Sequence, residues 1–183
     1  KITSVLESQS YVDLTLSCLA KYGIVIEHEN YYKYHIGGGQ KYRCGRNMVE
    51  GDWSQAAFWL VAGTLGRQIT CTGLNSDSLQ GDRVVADIIS RMGGQIICDA
   101  EGCHTALSAS TTGVVIDAAD CPDIIPVLTV LAAVSEGTTE IINAGRLRIK
   151  ECDRLAAMTS ELNKLGAAVT ELPDGLIIKG RPE

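Results

Sequence analysis

Positive charge is in short supply in this chain: sixteen lysines and arginines stand against 22 aspartates and glutamates, for a formal net charge of −6. Aromatic residues are scarce as well, at 5%. A surface that tracks single-stranded nucleic acid combines a basic groove with stacking rings, so no nucleic-acid partner is expected. Overall acidity does not exclude a small anionic substrate, because a local cluster of cations can dominate a cleft. No apolar run approaches the roughly 20 residues that span a bilayer, and no membrane partner is expected either. The seven cysteines, Cys18, Cys44, Cys71, Cys98, Cys103, Cys121 and Cys152, include no C-x-x-C pair. With nothing that reads as a signal peptide, free thiols in a cytoplasmic protein are the expectation. Cys98, Cys103 and His104 are close in sequence, but structural zinc takes four ligands and no second pair stands at suitable spacing. Neither a metal nor a cofactor is expected.

What the chain has in quantity is an ordinary globular mixture. It is 45% hydrophobic and 21% charged over 183 residues, enough for one medium domain or two small ones with a core that needs no staple.

Its clearest internal feature is a repeat. The segments Tyr11–Ile36, Asp82–Leu107 and Asp153–Ile178 each read as an amphipathic helix, a glycine stop, a short apolar strand, a turn and a second strand. The stops fall at Gly23, Gly93 and Gly166, about 70 residues apart, a period too long for a stacked solenoid. In the second copy Val84, Val85, Ile88, Ile89 and Met92 make one apolar stripe; in the third, Leu155, Met158, Leu162 and Leu165 do. Asp82 and Asp153 stand where a carboxylate caps a helix start. The glycines stand where a left-handed residue ends one.

A leading half of the repeat is visible too. Gly51–Leu74 and Ala119–Ala144 match each other, with Asp52 answering Asp120 and Gly66 answering Gly137. Each holds a helix that is apolar nearly all round, near Ser54–Leu65 and Asp123–Val134, and such helices are expected to be buried on all sides. The fold class is therefore α/β (α+β), built from pseudo-symmetric repeats. The stretch from Gly37-Gly38-Gly39 to Glu50 reads as a crossover; no Gly-Lys-Ser/Thr follows the glycines, so it is not a phosphate loop.

One run breaks the monotony. Arg146, Arg148 and Lys150 alternate with Leu147 and Ile149, and on a strand they would share one face. Glu151, Cys152, Asp153 and Arg154 follow. Charge pattern alone leaves two readings open, a solvated strand edge or an anion site.

The run Arg148-Ile149-Lys150-Glu151-Cys152-Asp153-Arg154 resembles the R-[IV]-K-E-[ST]-D-R motif of the 3-phosphoshikimate 1-carboxyvinyltransferase (EPSP synthase) family. Glu50-Gly51-Asp52-Trp53-Ser54-Gln55-Ala56-Ala57-Phe58, Ser78-Leu79-Gln80-Gly81-Asp82 and Asp120-Cys121-Pro122-Asp123 with Pro126 are similar to three further segments of that family. The resemblance runs through all 183 residues in order. It implies the inside-out α/β barrel of enolpyruvyl transferases, two domains each of three βαβαββ units. Residues 1–50 would be the trailing half-repeat of the first, shikimate-phosphate domain plus the crossover. Residues 51–183 would be two units of the second.

The same resemblance implies an activity: transfer of the enolpyruvyl group of phosphoenolpyruvate to the 5-hydroxyl of shikimate 3-phosphate, in aromatic amino acid biosynthesis, with no metal. It implies that Asp123 holds and deprotonates the hydroxyl, that Lys150 contacts it and shuttles a proton, and that Glu151 handles the proton of the enol methylene. Arg154 would bind phosphoenolpyruvate, with Ser8 and Tyr11 near the shikimate phosphate. Arg146 and Arg148 would be the cations that tune Lys150. Family segments L-P-G-S-K-S, N-A-G-T-A-x-R and D-H-R have no counterpart here, so the remainder of the same enzyme is expected to complete the site and the isolated chain to be inactive. Two other readings compete. One is an enzyme like UDP-N-acetylglucosamine enolpyruvyl transferase, for which no cysteine lies in a matching segment. The other is a noncatalytic α/β module that binds RNA or protein.

Overall fold

A computed structural model describes residues 1–3 and 6–181. The chain forms two compact units, one of residues 1–49 with Leu79–Gly81, the other of residues 50–78 and 82–183.

The first unit consists of helix α1 (Gln9–Lys21) and an antiparallel hairpin, β1 (Ile26–Glu29) and β2 (Lys33–Ile36), in which Ile26 faces Ile36 and Glu29 faces Lys33. Asn30 and Tyr31 both take positive φ at the turn, as a tight hairpin demands.

The second unit holds the core. It runs α2 (Trp53–Leu65), β3 (Ile69–Cys71), α3 (Val85–Arg91), β4 (Gln95–Cys98), β5 (Cys103–Ala106), β6 (Val115–Asp117), α4 (Ile125–Val134), β7 (Thr138–Ile142), α5 (Arg154–Lys164), β8 (Ala168–Leu172) and β9 (Gly175–Lys179). Three strands form an antiparallel sheet in the order β3-β5-β4. Four form a mixed sheet, β6-β7-β9-β8, in which only β6 and β7 are parallel, joined by α4 as a crossover. Leu60 of α2, Ile88 and Ile89 of α3, Leu128 and Leu131 of α4 and Leu155 of α5 meet with no exposed surface to speak of, and Ile116 and Ile141 close the core from the mixed sheet.

The helix–glycine–hairpin repeat occurs three times, as α1-β1-β2, α3-β4-β5 and α5-β8-β9. In each copy the glycine lies two residues past the helix and is left-handed: φ is 82° at Gly23, 87° at Gly93 and 89° at Gly166. Only glycine adopts that conformation without a Cβ penalty. The leading halves are α2-β3 and β6-α4-β7. Asp52 caps α2, accepting hydrogen bonds from the Ser54 and Gln55 amides at 2.8 and 3.3 Å.

Three expectations are corrected. Asp82 does not cap a helix directly; it lies fully buried in a 3₁₀ turn, Gly81–Val84, and α3 starts only at Val85. The apolar helices are not covered all round. Phe58, Trp59 and Leu65 on α2 and Val130 and Val134 on α4 are exposed, because the sheets and outer helices of the second unit enclose only the other sides. Nor are all the cysteines free: Cys98 and Cys103 face each other across β4 and β5 and form a disulfide. The sequence shows a strand, a turn and a strand there, but pairing depends on register, which a local pattern does not specify.

Burial separates otherwise similar apolar positions on these helices. Leu128→Ala should cost about 2–5 kcal/mol through the cavity it leaves. Trp59→Gln, on the exposed side of α2, should stay within about 0.5 kcal/mol. Urea unfolding of the two variants checks the difference, and comparable losses would mean that the exposed side is covered.

Candidate functional site

The parallel pairing of β6 with β7 decides where the charged side chains go. Asp117 is the partner of Ile142, so both strands finish at the same edge of the sheet, and the segments that follow them emerge side by side. Asn143 ties the two ends together: it takes φ 55° and its Nδ2 donates to Asp117 Oδ2 at 2.9 Å. Openings at the carboxyl ends of parallel strands are common ligand sites, because strands finish there and loops of free composition begin.

After β6 the chain enters a 3₁₀ turn, Pro122–Ile124, at the head of α4. Pro122 and Ile124 are buried, which leaves Asp123 between them turned outward and half-buried. After β7 the chain does not continue as the strand expected for Arg146, Arg148 and Lys150. It coils into a 3₁₀ turn, Gly145–Ile149, that drives Leu147 into the core at 1% exposure. The three cations therefore do not share a face. Lys150 is extended, the chain bends through Glu151 and Cys152, and Arg154 is the first residue of α5.

These two openings converge. Asp123 Oδ1 accepts a hydrogen bond from Lys150 Nζ at 3.0 Å and another from an Arg154 NH at 2.8 Å. The remaining edge of the Arg154 guanidinium grips Glu151 in a fork, Nε and NH2 each at 2.9 Å from one carboxylate oxygen. Burial pushes the Asp123 carboxyl up, but the hydrogen bonds and charges of Lys150 and Arg154 outweigh it and hold the group below its ordinary value. The Arg154 hydrogen bond, first among several causes, lowers the Glu151 carboxyl too. The Arg154 guanidinium is raised by Glu151 and Asp123 against the opposing pull of burial. Side-chain exposure is 20% for Arg154, 26% for Lys150 and 65% for Glu151, so the cations are anchored and Glu151 is the member free to leave.

All four side chains line one cleft of about 630 Å³. Ser54, Gln55 and Phe58 from α2 form another wall, with Pro126, Cys152, Ala157 and Met158 completing it. None of these was chosen from the sequence as a site residue. Ser54, Gln55 and Phe58 belong to the Glu50–Phe58 segment that had been singled out, and their place at the start of a capped helix was the available signal. Asp123 is not a helix cap; its carboxylate is engaged by Lys150 and Arg154. Arg148 does not neighbour Lys150 as expected. Its guanidinium is turned to Asp153, Glu171 and the carbonyls of Leu172 and Pro173. Ser8 and Tyr11 belong to the first unit, at the start of α1. Ser8 takes the N-cap position with φ 53° and makes no side-chain cap bond, its carbonyl receiving the Tyr11 amide at 3.1 Å. Ser10 is inside the helix. Cys98 and Cys103 are joined to each other, and the His104 ring lies 3.0 Å from Thr70 Oγ1 and 3.3 Å from Asp99 Oδ1.

A family model described as EPSP synthase (3-phosphoshikimate 1-carboxyvinyltransferase) matches residues 1–182. The chain is similar to the 3-phosphoshikimate 1-carboxyvinyltransferase of Clostridium kluyveri, 55% identical over 181 residues, covering 99% of this chain and 42% of that protein. It is equally similar to that of Clostridium acetobutylicum, 55% identical over 180 residues, covering 98% and 41%. Among solved structures, an EPSP synthase from Acinetobacter baumannii superposes with a TM-score of 0.77 at 25% identity, over 100% of this chain and 42% of that one. The enolpyruvyl transferase NikO from Streptomyces tendae shares the fold, with a TM-score of 0.72 at 23% identity over 96% and 41%. The chain thus spans about two fifths of the length of the curated relatives it matches. Among the described residues no helix is long and apolar enough to cross a membrane.

The start of α5 is itself held in place. Asp153 caps the helix through the Ala156 amide at 3.0 Å, and Arg148 holds Asp153 and Glu171 at 2.8 Å each. The cap bond first, then the Arg148 contact, keeps the Asp153 carboxyl low. Asp153→Asn retains a capping oxygen but loses the charge, whereas Asp153→Ala loses both. Thermal unfolding near neutral pH should rank wild type above the asparagine variant and that above the alanine variant. Because the folded carboxyl is depressed, the charge contributes fully above the unfolded value of about 4 and is lost as pH falls through the folded value. The Tm gap between wild type and Asp153→Asn should therefore close on acidification; a gap that persists would rule out the ion pair as its cause.

Proposed function

The chain belongs to the EPSP synthase family, and we propose that its second unit carries the phosphoenolpyruvate-binding and proton-handling part of a site that transfers the enolpyruvyl group to the 5-hydroxyl of shikimate 3-phosphate. The observation that carries this reading is the meeting of Asp123, Lys150, Glu151 and Arg154, from two distant stretches, at one cleft. Residues 1–50 would come from the shikimate-phosphate domain, with Ser8 and Tyr11 toward that phosphate, and residues 51–183 from the second domain. The setting is cytoplasmic aromatic amino acid biosynthesis. The remainder of the enzyme supplies the other anion-binding groups, so this chain binds without turning over, since the clamps must act together on both substrates.

The cations of the cleft are paired with its own carboxylates, and those pairs link binding to chemistry. The carboxylate of phosphoenolpyruvate has the shape that the Arg154 fork now gives to Glu151. When the substrate takes that edge, Glu151 is released. Its carboxyl then rises toward the ordinary value as the arginine hydrogen bonds are lost, so it takes up a proton more readily and can relay one to or from the enol methylene. In the addition step the methylene carbon gains a proton, Asp123 takes the proton of the 5-hydroxyl with Lys150 beside it, and the hydroxyl oxygen bonds to the adjacent carbon. In the elimination step the methyl group returns a proton and the carbon–oxygen bond to phosphate breaks.

Isothermal titration of the chain with phosphoenolpyruvate tests this. Arg154→Ala should weaken binding by about ten- to a hundredfold, the range of a charge-assisted hydrogen-bond pair at about 1.5–3 kcal/mol. Glu151→Gln, which removes the competing charge, should bind at least as tightly as wild type. With shikimate 3-phosphate also present, the isolated chain should release no phosphate. Wild-type affinity in Arg154→Ala would refute the assignment of the arginine, and phosphate release would refute the incompleteness of the site.

A further inference from the structure

Three cysteines stand in one row across the three-stranded sheet, away from the cleft. Cys71 on β3 is directly opposite Cys103 on β5, and Cys103 is directly opposite Cys98 on β4. Directly opposed residues project to the same face with Cβ atoms about 4.5–5.5 Å apart, so the sulfurs follow one another in the order 71, 103, 98. Cys98 and Cys103 are bonded, while Cys71 is a free thiol. Cys103 is buried, Cys71 packs half-buried against the core, and Cys98 is exposed.

Thiol–disulfide exchange requires a thiolate to reach a disulfide sulfur from the side opposite the bond that breaks. The register suits that requirement, because Cys71 stands opposite Cys103 on β3 while Cys98 is bonded to it from β4, on the other side. We propose that Cys71, Cys103 and Cys98 form a three-sulfur exchange site that unmasks Cys98 as a surface thiol open to modification by a soft electrophile. The Cys71 thiol gives its proton to solvent and its thiolate bonds to Cys103 Sγ. The Cys98–Cys103 bond breaks, and Cys98 leaves as a thiolate that is protonated by water or alkylated. One disulfide is lost and one is formed, so no oxidant or reductant enters. The covalent link moves from the end of the β4–β5 hairpin to the seam between β3 and β5, the two strands on which α2 chiefly packs. Cys121 does not compete. Its thiol donates to the Asp117 carbonyl at 3.3 Å, and burial, with Asp82, Asp117 and Asp120 nearby, pushes it up to about 12.

Peptide mapping distinguishes the two disulfides. Trypsin cuts after Arg67, Arg83, Arg91 and Arg146, so Cys71 falls in peptide 68–83 and both Cys98 and Cys103 fall in peptide 92–146. The native chain is treated with iodoacetamide in mildly alkaline buffer, because burial raises the Cys71 thiol, and digested without reduction. The expected product joins the two peptides through Cys71 and Cys103 and carries the label on Cys98. In Cys71→Ser the joined product and the Cys98 label should both disappear. Cys98→Ser, refolded with oxidised glutathione, should give the joined product as its main disulfide, so that the result does not hang on one variant. Label on Cys71 alone with the 98–103 bond intact, label on all three cysteines, or no joined product from Cys98→Ser would each overturn the proposal.

Discussion

One carboxylate holds the cleft together. Asp123 accepts from Lys150 and Arg154 through the same oxygen, and so couples the head of α4 to the head of α5, two elements whose only covalent connection runs through α4, β7 and a 3₁₀ turn. The coupling is available because β6 and β7 are parallel and end together. An antiparallel pair would send the two following segments to opposite edges. The chemistry of the site thus rests on a topological fact, and the ion pairs hold side chains that the strands have already brought near each other. Their strength is moderated by solvent, since the Asp123 side chain is 39% exposed, and pairs with that much access to water contribute little to stability. Their weight lies in orientation.

The cations of the run Arg146 to Arg154 look alike in sequence and differ in employment. Lys150 and Arg154 face the cleft. Arg148 is spent on structure, binding two carboxylates and two carbonyls around the β8–β9 turn. Its bond to Asp153 fixes the residue that caps α5, and so fixes the first turn from which Arg154 extends. A long flexible side chain presents a geometry to an anion only when its backbone is fixed, and preorganisation of this kind limits the reorganisation needed when charge develops. The internal carboxylates serve the same end, since Asp123 and Glu151 hold the edges of the Arg154 guanidinium in one fixed orientation.

Legibility from sequence followed the range of the determining interaction. The helix–glycine–hairpin units were readable because each is closed by local rules: an apolar stripe, a glycine with positive φ, a short turn. The turn at Gly145–Ile149 was not, because alternation of charge and apolar residues fits a strand as well, and burial of Leu147 beneath α5 decides the matter. The bond between Cys98 and Cys103 depends on register, and the bare sides of α2 and α4 on what lies beyond them; neither leaves a local trace. At the cleft, Asp123, Lys150, Glu151 and Arg154 stood out through motifs rather than periodicity. Ser54, Gln55 and Phe58 were passed over because a capped, apolar helix start has a sufficient structural explanation by itself.

The repeat shows most directly how a common scaffold acquires a site at one place and not another. Asp82-Arg83 and Asp153-Arg154 hold the same position at the start of the outer helix in successive copies. In the earlier copy the aspartate is fully buried and the arginine donates to the Ser76 carbonyl at 2.8 Å, so that arginine serves the backbone. In the later copy Asp153 stays at the surface as a helix cap, and Arg154 turns to Glu151 and Asp123. The helices, glycines and hairpins are equivalent; the segments leading into them are not. The lead-in after β7 serves both ends at once: Leu147, Arg148 and Asp153 hold the fold there, while Lys150 and Glu151 reach the cleft, so the difference between the copies lies in this segment rather than in the repeated elements.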